Sequence, residues 1–418
     1  MKRMRKLFAT LLALALLLGM IGTAGAEAPE KITMLFSAGG SGKAITAAAE
    51  RFTQETGIQA EVLLFTIDEV YEKQVLSLSN GNNDIDIVAI NDPWVPLLKN
   101  YLVPLNDLDP EFLGAFVPGM LDTFTADGNI YGIPVRMGSD VITYRKDIFA
   151  EKGIDINTIK TWEDLYNVAV SLTDKENSKY GWAMGIVEPS NVFKAWFEYM
   201  ICYGARILNE DGSAFAFNSP EGIAATKMFV KFVQDACPPD ILNYSFNDQI
   251  DAMKTGNAAM GLLWTSRYAS VNASDGEYTG QFAVLPWMPS GDGVDGIACV
   301  DGWAVGISQS SSHKEAARKF IEYIGSYDEQ LRLATQNSNS PTIASIYESE
   351  EYLSVIPEAA NMNEAMKVAE PRPAAEFFTE VQDSVALYVK RACMGDMTVE
   401  DALAACQAEC DKILEDYR

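Results

Sequence analysis

The sequence predicts an α/β protein of two domains, and three observations lead there. From Lys31 onward, short apolar runs of strand length alternate with amphipathic runs of helical length. The chain has 418 residues and is 48% apolar, enough to bury two cores. The stretch Asp127 to Phe149 (DGNIYGIPVRMGSDVITYRKDIF) reads as chain leaving one domain for another. In it Asp127-Gly128 is a hairpin pair, Ile130 to Ile133 a short strand that Pro134 stops by removing a backbone donor, Gly138-Ser139 a flexible link, and Val141 to Tyr144 the next strand. Taken alone, this stretch fits equally a hinge or an ordinary strand-loop-strand inside one domain.

The first residues form a secretory signal. Lys2, Arg3, Arg5 and Lys6 are the basic start, Leu7 to Ile21 the apolar run, and Ala24-Gly25-Ala26 the small-residue cleavage site. No later stretch reads as a membrane span, and no cysteine precedes Cys202, so the expectation is an exported, periplasmic or extracellular protein without a lipid anchor. The formal charge of −26 becomes four units more negative once the signal is removed, a balance that repels nucleic acid and anionic membranes.

Lys31 to Phe36 is the first buried strand, followed by the loop Ser37-Ala38-Gly39-Gly40-Ser41-Gly42-Lys43 and a helix through Phe52. Such a loop presents backbone amides to a ligand. It fails as a phosphate loop, because Ser37 replaces the first glycine and Ala44 the Ser/Thr that holds magnesium. Ile58 to Phe65 is the second strand, Asp68 to Ser79 a helix, and Ile85 to Ile90 a third strand whose unbroken apolar run suits a parallel strand covered on both faces. Asp92 and Trp94 follow it directly, where open parallel sheets bind ligands. Thr161 caps the next helix with Asp164 in the place of the usual Glu/Gln.

Tyr180 to Ile186 is a strand leading to Glu188, and the helix after it carries Phe193, Trp196, Phe197 and Tyr199 at core spacing. Glu210 to Ser213 is a turn, Pro220 to Asp235 and Asn247 to Lys254 are helices, and Ala258 to Leu263 is a strand running into Trp264-Thr265-Ser266-Arg267. Phe282 to Pro286 is a short strand, and Ser290 to Gly296 is a polar loop that lacks calcium-ligand spacing. Val300-Asp301-Gly302-Trp303 leads the strand Ala304 to Ile307, before a capped helix from Ser312 to Ile324. Asn337 to Pro341 reads as another crossing between domains, and the remainder is largely helical, broken by Pro371-Arg372-Pro373.

Six cysteines lie in the second half, Cys202, Cys237, Cys299, Cys393, Cys406 and Cys410. Buried or semi-buried free thiols are the leading reading; export also permits disulfides, with Cys202–Cys237 the first candidate pair, and Cys406 and Cys410, one helical turn apart, suit a metal as well as a disulfide. With His313 as the one histidine, in the first turn of a helix after a serine run, a His-based triad or a His-rich zinc site is disfavoured.

Several segments together resemble the extracellular solute-binding proteins of bacterial ABC importers, in their carbohydrate-binding, maltose-binding-protein-like group. They are FTQETGIQ (52–59), DIVAIND and YLVPL within 85–105, YGIP (131–134), the TWEDL helix start, MKTGNAAMGLLW (253–264), LPW (285–287) and GWAVGISQSSSHKEAARKFIEYI from Gly302. The resemblance covers nearly all of the chain after the signal. It implies a periplasmic-binding-protein-like fold of class II: two α/β domains, a ligand cleft between them and a hinge of several crossings. The first lobe is then 27–137 with 290–340, and the second 138–289 with 341–418. It further implies a small-molecule carbohydrate ligand, transmembrane permease subunits as partners, a monomer, and neither cofactor nor catalysis. Carried over by position, it marks Asp92, Trp94, Glu188, Trp264 and the late aromatic at Phe377 or Phe378. Ser190 stands where the maltose-binding pattern has an aromatic, which puts a long stacking platform in doubt.

A sugar offers hydroxyls in the ring plane and apolar C–H faces. Asp92, Glu188 and Asp301 suit its hydroxyl protons; Arg136, Arg267 and Arg372 donate in forks; Trp94, Trp264, Trp303 and Phe378 cover its faces; Ser37, Gly40, Ser41 and Gly302 line the walls. A charge-assisted hydrogen bond contributes about 1.5–3 kcal/mol net, so a few of them with stacking reach the roughly 8 kcal/mol of a micromolar complex. Two arginines also leave room for an acidic sugar, unless each pairs with a neighbouring carboxylate. The rival readings are a secreted glycoside hydrolase and a ligand-sensing subunit for a membrane histidine kinase.

Overall fold

The computed structural model describes residues 30–417 apart from positions 118, 210, 211, 292, 338, 374 and 376. The expected signal segment, and Glu210-Asp211 of the expected turn, lie outside the described residues.

The first half is built as read. Strand β1 (Lys31–Ser37) is followed by helix α1 (Gly40–Thr56), β2 (Gln59–Phe65), α2 (Ile67–Ser79) and β3 (Ile87–Asn91). β1 pairs in parallel with β2 from Lys31↔Gln59 to Ser37↔Phe65, and with β3 at Met34↔Ile87. Gly57 closes α1 at φ 76°, the left-handed position a side chain disfavours. Thr66 and Glu69 form a capping box at α2.

Asp127 (φ 52°) and Gly128 (φ 76°) turn the hairpin of β4 (Thr125–Ala126) and β5 (Asn129–Ile130), as the two positive φ angles of a tight turn require. The sequence expectation fails just beyond it. Pro134 does not stop a strand and Gly138-Ser139 is not a loop; Ile133–Arg145 is one strand, β6, buried along almost its whole length. The register shifts between Trp303 and Ala304, where Arg136 pairs Trp303 and Pro134 pairs Ala304, leaving Val135 as the extra residue of a bulge. A bulge is where a sheet tolerates proline.

The second half adds α3 (Trp162–Ser171), with the Thr161/Asp164 capping box, then β7 (Tyr180–Ala183), α4 (Pro189–Cys202), β8 (Ala258–Trp264), β9 (Phe282–Val284), β10 (Ala298–Ile307), β11 (Ala369–Pro371), α5 (Phe378–Met394) and α6 (Val399–Asp416). The sheet order is β2-β1-β3-β10-β6-β8-β7, with β11 beside β10 and β9 beside β6. β6 therefore belongs to both halves: Ile133–Ser139 pairs β10, whereas Asp140–Arg145 pairs β8 and β9.

Two buried apolar clusters flank this strand. One gathers β1, β3 and α1 and continues past β6 through Ile250, Met253, Leu263 and Val284 to Ile343, Ile346, Tyr347 and Met362. The other gathers α3, α4, α5 and α6 around Trp162, Trp182, Trp196 and Tyr199, so the aromatics of α4 are core as expected. Trp162 stacks on Tyr199 with centroids 4.0 Å apart.

All six cysteines are free and buried. The Cys202–Cys237 pairing is thus replaced by a thiol that donates to the Ile297 carbonyl at 3.2 Å. Among the described residues no His/Cys/Asp/Glu group is arranged to hold a metal, and no helix is long and apolar enough to cross a membrane.

Candidate functional site

The sheet register draws the predicted residues toward one place. Trp303 lies opposite both Asn91 and Arg136, Asp301 opposite Gly138, and Asp140 opposite Trp264. The end of β3, the end of β8 and the middle of β10 therefore converge on the point where β6 passes from one half of the sheet to the other. Gly138 permits the approach: a Cβ there would sit 2.5 Å from Asp301 Oδ1 and 2.9 Å from Trp264 Cε3.

Asp92 and Asp301 are buried, and Arg372 reaches both. Its Nη2 donates to Asp92 Oδ1 at 2.7 Å and its Nε to Asp92 Oδ2 at 3.2 Å, while Nη2 lies 3.8 Å from Asp301 Oδ2. Burial lifts the Asp92 carboxyl to about 6 despite Arg372, with Asp301 adding to the rise.

On the other side of β6, Lys194 from α4 donates to Asp140 Oδ1 at 2.9 Å, with both side chains almost fully buried. The same Nζ sits 3.1 Å from the Trp264 ring centroid, a close cation–π contact. One turn further along α4, Glu198 accepts from the Cys299 amide at 3.1 and 3.0 Å. Burial, reinforced by Asp140, holds the Glu198 carboxyl well above the usual carboxylate range. Asp140, Lys194, Asn191, Phe246 and Trp264, with Met184, Gly185, Ala195 and Leu262, line a small open pocket with room for about one water.

Arg136 turns toward Trp264 and Ser266. Its guanidinium lies 5.4 Å from the Trp264 ring and donates from Nη2 to Ser266 Oγ at 3.0 Å. Its Nε is buried without a partner. Arg267 stands 5.9 Å from the ring of Phe246.

The other predicted residues are spread more widely. Trp94 is half-buried between Tyr71 (5.1 Å) and Trp303 (5.3 Å). Trp303 is only 4% exposed, held also by Phe36 at 5.1 Å, and the Gly302 carbonyl accepts from Asn91 Nδ2 at 3.2 Å. Ser37 is buried at the end of β1, with Gly40 and Ser41 opening α1 beyond it. Glu188 is exposed before α4 and accepts at 2.7 Å from Nδ2 of Asn191, which lines the pocket. Phe378 is buried in the second core, 4.9 Å from Phe193. Sequence reasoning missed Lys194 and Glu198, whereas Asp140 falls in the stretch Arg136 to Asp140 that it reads as hinge and cleft floor. The available signal was a Lys and a Glu one turn apart on the face of a helix otherwise crowded with aromatics.

Fold and site together define a binding protein of two α/β lobes with a cleft between them. The family described as bacterial extracellular solute-binding protein matches residues 37–331, and the chain belongs to it. It is similar to the maltose-bound T. maritima MalE3, at 27% identity over 93% of this chain and 100% of that one, with a TM-score of 0.81. It is 23% identical to a probable ABC transporter-binding protein of Deinococcus radiodurans, covering 73% of each chain. It is 24% identical to the mannitol-binding protein of Pseudomonas aeruginosa, covering 79% of this chain and 80% of that protein.

Proposed function

We propose that the chain is the substrate-binding component of an ABC importer, that it binds a carbohydrate between its lobes, and that it hands the ligand to transmembrane permease subunits. The observation that carries this reading is the surround of Trp264: an indole at the end of β8, with Lys194 and Asp140 lining its pocket and Arg136 beside its ring. Flat ring and hydrogen-bonding groups together match the two surfaces of a sugar. The names of its relatives agree with it, since one is a mannitol-binding protein and a similar structure holds maltose.

The lobes run 27–137 with 290–340 and 138–289 with 341–418, exchanged at β6, near Ser290 and near Ser340. Support comes from the shared pairing of β6 and from bonds across the third crossing, where Asn339 Nδ2 donates to the Val135 carbonyl at 2.8 Å and Thr342 Oγ1 to the Pro134 carbonyl at 3.1 Å. Ligand touching both lobes favours the closed form through its differential affinity. No catalysis is needed: Asp92 and Asp140 are each held by a buried cation and Glu198 by an amide, so these carboxyls are engaged rather than poised across a glycosidic bond. The protein acts as an exported monomer, its signal cleaved near Ala26.

A thermal-shift screen of mono- and oligosaccharides and polyols tests the reading, because binding to the native state raises the melting temperature. A rise with at least one member is expected; no rise with any carbohydrate counts against it.

A further inference from the structure

We infer that the carbohydrate taken by this cleft carries a single carboxylate, as a uronic acid or short uronate oligomer does, and that Arg136 and Arg267 receive it. The inference rests on the carbohydrate reading above and adds the charge of the ligand.

Four cationic side chains stand around the cluster, and two of them are matched. Arg372 makes two hydrogen bonds to Asp92, and Lys194 makes one to Asp140. Arg136 and Arg267 have no carboxylate within ion-pair distance among the described residues. In a chain with 58 acidic and 32 basic side chains, partners for an arginine are abundant, so two arginines left without one are informative. Arg136 is the costlier of the two: its Nε is buried with no acceptor, and its one hydrogen bond goes to the hydroxyl of Ser266. Burial lowers the pKa of this guanidinium, Asp301 pulls it up, and the nearby Arg267 lowers it again. Burial likewise lowers that of Arg267.

On the acidic side, Asp92 and Asp140 are used by their pairs, and burial biases the Glu198 carboxyl toward its neutral form. Asp301 remains, facing Arg372 at 3.8 Å and attracting Arg136. Two unmatched guanidiniums against one carboxylate leave a surplus of one positive charge. That complements a carboxylate better than a phosphate monoester, which carries nearly two charges at neutral pH. A guanidinium fork fits the carboxylate plane, and Trp264, 5.4 Å from Arg136, is placed to meet the apolar face of the same sugar.

Isothermal titration calorimetry on the full exported chain separates the possibilities, using galacturonate, glucuronate and digalacturonate against galactose and glucose at low and high salt. Arg136→Gln and Arg267→Gln serve as variants; Arg267 is the more exposed of the two, so R267Q keeps the test open if R136Q does not fold. The expected result is a uronate binding about tenfold or more tighter than its neutral parent, with that preference reduced in the variants and by salt. A neutral parent binding as tightly as its uronate, or a preference unchanged in the variants, overturns the inference and leaves the carbohydrate reading standing. Binding of no sugar in the panel, neutral or acidic, overturns both.

Discussion

Asp92 and Arg372, 280 positions apart in the chain, are joined by two hydrogen bonds of 2.7 and 3.2 Å with both side chains buried. The guanidinium also separates Asp92 from Asp301, so removing it strands two buried carboxylates beside each other. Arg372→Met is expected to destabilise the fold by about 3–5 kcal/mol, the cost of breaking a buried pair from one side. Adding Asp92→Asn should recover much of that loss in urea unfolding. A single variant within about 1 kcal/mol of wild type would count against a structural role for the pair.

The raised pKa of Glu198 fixes the sign of a pH effect. A carboxyl whose folded pKa lies above its unfolded value binds more protons in the native state, so stability falls as pH rises from the usual carboxylate range through the raised value. Glu198→Gln retains an acceptor for the Cys299 amide and removes the titration. The variant should match wild type near pH 4.5 and exceed it above neutrality, measured by urea midpoints across that range. A wild type that gains on the variant as pH rises would reverse the account.

Gly138 has no room for a side chain between Asp301 and Trp264. Gly138→Ala should therefore cost about 1–3 kcal/mol of stability and weaken ligand binding, because the atoms displaced belong to the cluster. Retained affinity in a folded variant would show that Asp301 and Trp264 can part without consequence.

Six buried thiols predict slow chemistry. A thiol reagent such as DTNB should find almost none of them in the native protein and all six in urea, with a reducing agent leaving the melting temperature unchanged. A Tm that falls on reduction would indicate a disulfide.

The sequence makes local decisions legible and long-range ones less so. The β1–α1–β2 unit, the Thr161/Asp164 cap and the Asp127-Gly128 turn depend on residues a few positions apart, and all were readable. The continuity of β6 depends on β10 and β8 as partners and on a bulge that absorbs Pro134, none of which a local pattern encodes. Among candidate site residues, the strand-end positions Asp92 and Trp264 were visible because open sheets bind ligands at such positions. Lys194 was not: its partner Asp140 is 54 positions away, and the helix around it reads as core. Arg136 was found, but only the packing of β6 against β8 sets its direction toward Trp264.

The central claim, a carbohydrate held against Trp264 between the lobes, is tested most directly by titrating wild type and Trp264→Ala with the sugar that gives the largest thermal shift. Calorimetry and tryptophan fluorescence are read together. The account predicts a fold unchanged by circular dichroism, affinity lower by about tenfold or more, and loss of ligand-induced quenching. Unchanged affinity in a folded Trp264→Ala would contradict it.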